Sequence, residues 1–152
     1  MMSPPLTTSH LTGLLANEKD IQPTLDLLED LSPRTYLHTL LQRRGQTISG
    51  LADEIHMSRP FVYQIFEGLR RPGRDVLLSM AIVLRLTLEE AQRLLTLFER
   101  GILYPRVRRD ALLLHAVAQG FTLPMTEALL EQHGERPLLP PLRPGKEAAH
   151  AD

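Results

Sequence analysis

Residues 47–73, TISGLADEIHMSRPFVYQIFEGLRRPG, constrain the fold more than any other stretch of the chain. An apolar pattern of helical period runs to Ile55, breaks over His56-Met57-Ser58 and restarts at once. Two helices joined by a turn of about three or four residues must cross steeply, and a small residue is needed where they touch. Ala52 is that residue, and Val62 is placed to pack against it. Leu51, Ile55, Met57 and Ile65 complete the apolar seam. His56, at the turn, is expected in a left-handed backbone conformation, where glycine is easiest and histidine tolerable.

The surrounding chain has the same period. No run alternates with period two long enough to argue for a strand, so an all-α fold follows: a compact helical bundle with extra N- and C-terminal helices. Helices are expected at about 9–18 and 22–31, and from the Ser32-Pro33 start to Gly45. Others are expected at 48–55 (capped by Thr47), 59–66 (capped by Ser58), 74–84 and from the Thr87-Leu88-Glu89-Glu90 capping box to about Arg100. The last two cover about 106–119 and 123–133, with Gly120 and Gly134 as stops. Gly50 lies inside a helix and should cost roughly 0.5–1 kcal/mol against alanine. The chain divides into an acidic, partly helical segment (1–33), a helix-turn-helix domain (34–100), a C-terminal helical extension (101–136) and a loose proline-rich tail (137–152).

Charge is unevenly spread. Residues 34–74 carry seven arginines against Asp53, Glu54 and Glu67, whereas residues 1–33 carry Lys19 against five acids. A locally positive segment matters to a polyanion even in a chain of net charge −1. With no cysteine, disulfides, thiolate zinc sites and thiol catalysis are excluded. Apolar stretches are interrupted by charges within a turn or two, so no membrane partner is expected, and the N-terminus reads as a cytoplasmic protein's. No metal motif, phosphate loop or nucleophile elbow is present, and the adjacent carboxylates Asp53-Glu54 and Glu89-Glu90 diverge. Neither enzymatic activity nor a metal or other cofactor is expected.

Leu51-Ala52, Ile55, Met57-Ser58, Val62, Gln64-Ile65, Gly68 and Pro72, with the Leu77–Leu84 helix and the Thr87 capping box, make residues 36–95 resemble the Cro/cI-type (Xre) helix-turn-helix domain. The fold implied is lambda-repressor-like, and the function implied is sequence-specific transcriptional regulation on double-stranded DNA. On that resemblance helix 59–66 enters the major groove and presents Arg59, Pro60, Tyr63 and Gln64 to the bases. Glutamine can bond adenine N6 and N7 together, worth roughly 1–3 kcal/mol of discrimination. Arg43, Arg44, Arg70, Arg71 and Arg74 would rim the groove and contact phosphates. Thr47, Ile48 and Ser58, at the helix starts, would do the same. If about five phosphates are neutralised, log K falls with log salt at a slope of roughly −4 to −5. A homodimer is implied, with Leu94, Leu95, Phe98 and Ile102 as its candidate surface.

A second reading stays open. Ile48 stands where family members often carry glutamine, and with Phe66 and Tyr63 it makes the outward face more apolar than a groove reader needs. The same fold would then be a protein-interaction adaptor. The hydroxyl cluster Thr7, Thr8, Ser9 and Thr12 would be a phosphorylation target controlling it, and Leu11, Leu14, Leu15, Leu25, Leu27, Leu28 and Leu31 would dock the N-terminal segment. Residues 103–137 resemble the C-terminal extension of a subset of bacterial Xre-like proteins. Within them Arg106, Arg108 and Arg109 are expected to pair with Asp110 or with acids of another helix, and His115 to be a core or interface histidine.

Overall fold

Most helix starts among the described residues are set by hydroxyl caps. Ser32, Thr47, Ser58, Thr87 and Thr122 each accept a backbone N–H of the following turn, satisfying one of the amides that a helix start leaves without a partner. At Thr87 the cap is reciprocal, because Glu90 returns its carboxylate to the Thr87 amide at 2.9 Å.

The computed structural model describes residues 7–30 and 32–140. Among the described residues every regular element is a helix. In chain order these are α1 (Thr8–Asn17), α2 (Gln22–Asp30), α3 (Pro33–Arg43), α4 (Ile48–Glu54), α5 (Arg59–Phe66), α6 (Arg74–Val83), α7 (Leu88–Leu97), α8 (Arg108–Gln119) and α9 (Leu123–Gln132). No helix among the described residues is long and apolar enough to cross a membrane. Leu31, the side chains of Thr8, Leu27 and Leu28, and residues 141–152 of the expected tail lie outside the described part.

Three helices stop at left-handed residues that are not glycine: His56 (φ 59°), Arg85 (φ 54°) and Glu99 (φ 56°). His56 is where the turn argument puts it. α7 ends earlier than its spacing suggests, at Glu99 instead of Gly101.

α6 is the central helix. Val76 through Ile82 are all buried, and α4, α7, α8 and α9 pack around it. Ser79, buried among them, donates its hydroxyl to the Asp75 carbonyl at 2.8 Å, so no polar group is stranded. The core continues through the C-terminal extension and past it. Leu138 and Leu139 are buried, and their amides donate to the Glu127 carboxylate at 2.7 and 3.3 Å. The expectation of a loose tail from residue 137 therefore fails for 137–140. A segment without helical period is held by two leucines and one carboxylate.

Gly50 has a local reason. A Cβ there would stand 2.4 Å from Gln46 Oε1, which accepts the Thr47 amide at 3.1 Å. The helical penalty makes room for a side chain that braces the α4 start.

Candidate nucleic-acid interface

α4 and α5 meet along the seam expected from their spacing. Leu51, Ala52, Ile55, Met57, Val62 and Ile65 are all buried. Phe61 and Phe66 are buried as well, so α5 buries four of its eight residues. What remains outward is one face: Arg59, Pro60, Tyr63 and Glu67 exposed, with Gln64 half-buried.

That face is tied at each end. Arg59 grips Asp53 with two nitrogens, Nε at 3.2 Å and Nη2 at 2.9 Å, and this hydrogen bonding holds the Asp53 carboxyl below its ordinary range. Both side chains are well exposed, so water screens the pair. The Tyr63 hydroxyl lies 3.3 Å from Ser49 Oγ, linking α5 to the first turn of α4. Gln64 Oε1 accepts from Arg70 Nε at 3.2 Å, while the Arg70 guanidinium stacks 5.2 Å over the Phe61 ring.

Most of the expected phosphate rim has other work. Arg71 donates to the Phe98 carbonyl, with Nη2 at 2.7 Å, and to the Glu99 carbonyl at 2.9 Å. Arg74 donates to the Gly101 and Ile102 carbonyls and to both oxygens of Asp110, each at 2.8 Å. Arg100 answers from the other side, donating to the Pro72 carbonyl at 2.8 Å. Residues 71–74 and 98–102 thus form a reciprocal clamp of guanidinium on carbonyl. It satisfies the carbonyls left open where α7 ends. Arg43 pairs with Glu90, and Arg44 donates to the Arg85 carbonyl. Both lean toward the α6–α7 junction, not toward α5. The Glu90 carboxyl is pushed up by burial, but the Thr87 amide and Arg43 outweigh this and hold it below its ordinary range.

The small candidates are similarly engaged. Thr47 Oγ accepts from the Gly50 amide at 2.9 Å, and the Ser58 hydroxyl caps α5. Ile48 packs against the core, which leaves its backbone as its only polar group for a phosphate.

Phe66 overturns one sequence expectation. It is 0% exposed, its ring meets His38 edge-on at 5.1 Å, and its carbonyl accepts from Arg34 Nε and His38 Nε2. It fastens α5 to α3 and adds nothing to an outward apolar face. The expected dimer surface changes for the same reason. Leu94, Leu95 and Phe98 are core residues, because α7 turns its apolar side inward, and of the four only Ile102 is exposed.

Arg109 pairs as expected with an acid of another helix, Arg108 with an acid that lies past the end of α9, and Arg106 is exposed. Arg109 is buried and holds Asp75 of α6 at 3.0 Å, and Arg108 reaches Glu135 at 3.6 Å. His115 is exposed, in edge contact with Phe121, and so is not a core residue. In the N-terminal segment, Thr7 caps α1 by accepting from the His10 amide at 3.1 Å, while Ser9 and Thr12 are exposed. Leu11 and Leu14 are half-buried, Leu15 and Leu25 exposed. Among the described residues no cluster of three His, Asp or Glu side chains is placed to hold a metal.

Compared with known proteins, the chain matches no family model, no curated protein and no solved structure.

Proposed function

We propose that the chain is a regulator that binds double-stranded DNA through α5. The observation that carries this reading is the division of α5: one side wholly buried against α3 and α4, the other presenting Arg59, Pro60, Tyr63 and Gln64 together. A short helix so braced is a rigid probe, and the resemblance of residues 36–95 to Cro/cI-type domains supplies the groove it would enter. Gln64, oriented by Arg70, reads adenine; Arg59 exchanges Asp53 for a guanine edge or a phosphate; Tyr63 reaches the sugar-phosphate or a thymine methyl. An eight-residue helix is about 12 Å long and spans only a few base pairs, so two copies on adjacent half-sites belong to the proposal.

The test is binding to genomic fragments at two salt concentrations, for wild type and for Arg59→Ala/Gln64→Ala. Salt-dependent binding that the double substitution weakens supports the reading. Binding that is absent, or equal in both proteins, removes it.

The adaptor reading keeps one observation in its favour. Tyr63 is 42% exposed and Leu69, just beyond α5, is 74% exposed, while Arg59 is charge-paired within the chain. A stoichiometric protein partner that shields Tyr63 and Leu69 would favour it over DNA.

A further inference from the structure

A groove of about 720 Å³ runs between α9, the α4–α5 turn and the segment 134–140. Its apolar floor includes Leu123, Pro124, Leu139 and Pro140. Glu54, Glu127, Glu131 and Glu135 line it as well, and among the described residues no lysine or arginine does. Among the described lining residues, His56 is the one side chain able to take a positive charge.

The four carboxylates are differently occupied. Glu127 accepts the Leu138 and Leu139 amides, and Glu54 accepts Gln46 Nε2 at 3.1 Å. These are neutral donors that leave the negative charge uncancelled. Arg108, from outside the groove, approaches Glu135 at 3.6 Å. The Glu131 carboxylate has no hydrogen-bond or ion-pair partner among the described residues. A cleft lined by one sign of charge over low-dielectric walls focuses its field and concentrates counter-ions. The volume falls within the roughly 300–1,000 Å³ typical of small-molecule sites, which also favour junctions between structural units.

We infer that this groove binds an amphipathic organic cation, an apolar body carrying one or two ammonium groups. The apolar part covers Leu123, Leu139 and the prolines; the ammonium groups lie against Glu131 and Glu54. Such a ligand touches α9 on one side and His56 on the other, the residue whose left-handed backbone sets the angle between α4 and α5. The site stands whether or not α5 reads DNA.

The experiment uses the full chain and two probes of equal length, 1,8-diaminooctane and its neutral counterpart octane-1,8-diol. Affinity is measured by titration calorimetry, and the site is located by amide chemical-shift changes. The diamine is expected to bind roughly tenfold tighter than the diol, with shifts concentrated at Glu54, His56, Leu123 and Glu131. Glu54→Gln/Glu131→Gln should remove that preference while leaving the amide spectrum otherwise intact. Three results each overturn the inference: equal affinity for both probes or none for either, shifts centred elsewhere, or an undiminished preference in a folded double variant.

Discussion

Arg74 and Asp110 meet in a two-pronged ion pair with both contacts at 2.8 Å, and the next residue of α6, Asp75, pairs with the preceding residue of α8, Arg109, at 3.0 Å. Two consecutive residues on each helix therefore cross-pair with opposite polarity. Asp110 also accepts the Tyr104 amide at 2.9 Å, and Arg109 donates to the Arg136 carbonyl at 3.0 Å. Basic residues at a helix N-terminus oppose its dipole; here Arg109 is offset by Asp75. The C-terminal extension is locked to the helical domain by this quartet as well as by leucine packing.

Asp110→Asn should lower stability by about 2–4 kcal/mol, because it removes the charge that the partly buried Arg74 guanidinium is bonded to, leaving only the charge of the neighbouring Asp75. Urea unfolding of wild type and variant checks this. A difference under about 0.5 kcal/mol would mean that the pair behaves like a solvent-exposed one.

The same pair fixes a pH dependence. Burial pushes the Asp110 carboxyl up, but the hydrogen bonds from Arg74 and the Tyr104 amide, with the charges of Arg74 and Arg109, outweigh it and hold it below its ordinary range. Glu90 is depressed too. A carboxyl depressed by folding contributes stability that is complete above its unfolded value, near ~4, and is lost as pH falls through the folded value. Stability should stay level on this account from neutral pH to about 5, then fall below about 4. The gap between wild type and Asp110→Asn should narrow over that acid range in urea titrations at stepped pH.

The turn of the proposed DNA-reading motif was legible because its requirements are local. Ala52, Val62 and the left-handed His56 follow from spacing and backbone sterics alone. The capping hydroxyls are equally local. Phe66, Arg71, Arg74 and Leu138 were not legible, because their partners lie from 11 to 36 residues away. An arginine bonded to a distant carbonyl has the same local signature as one waiting for a phosphate. Leu94 and Leu95 were misplaced for a related reason: helical period shows that α7 has an apolar face, but not which neighbours cover it.

His56→Gly should raise stability by roughly 0.5–1 kcal/mol, since a left-handed backbone costs an L side chain more than it costs glycine. The His56 side chain is exposed, so little packing is lost in exchange. Thermal unfolding checks the sign. A lower melting temperature would show that the imidazole makes a contribution exceeding the backbone strain.

DNA binding, if α5 provides it, should depend on salt more gently than the arginine content of 34–74 suggests. Arg34, Arg44, Arg71 and Arg74 are committed to backbone carbonyls, and Arg43 to Glu90. Breaking those ties would cost stability at the α7 end and at the α6–α7 junction. Arg59 and Arg70 are different: the side-chain bonds shown for them, to Asp53 and Gln64, are open to solvent, so Arg59 can trade Asp53 for a phosphate and Arg70 can add a phosphate to its bond with Gln64. For one copy on a duplex carrying a single half-site, two phosphates predict a slope of log K against log salt near −2, roughly a tenfold loss of affinity between 50 and 200 mM salt. Fluorescence anisotropy with a labelled duplex across that range measures it. A flat line would mean that no phosphate is held. A slope of −4 or steeper would mean that the carbonyl-bound arginines let go on binding, and Arg71→Ala should then reduce it by about one unit.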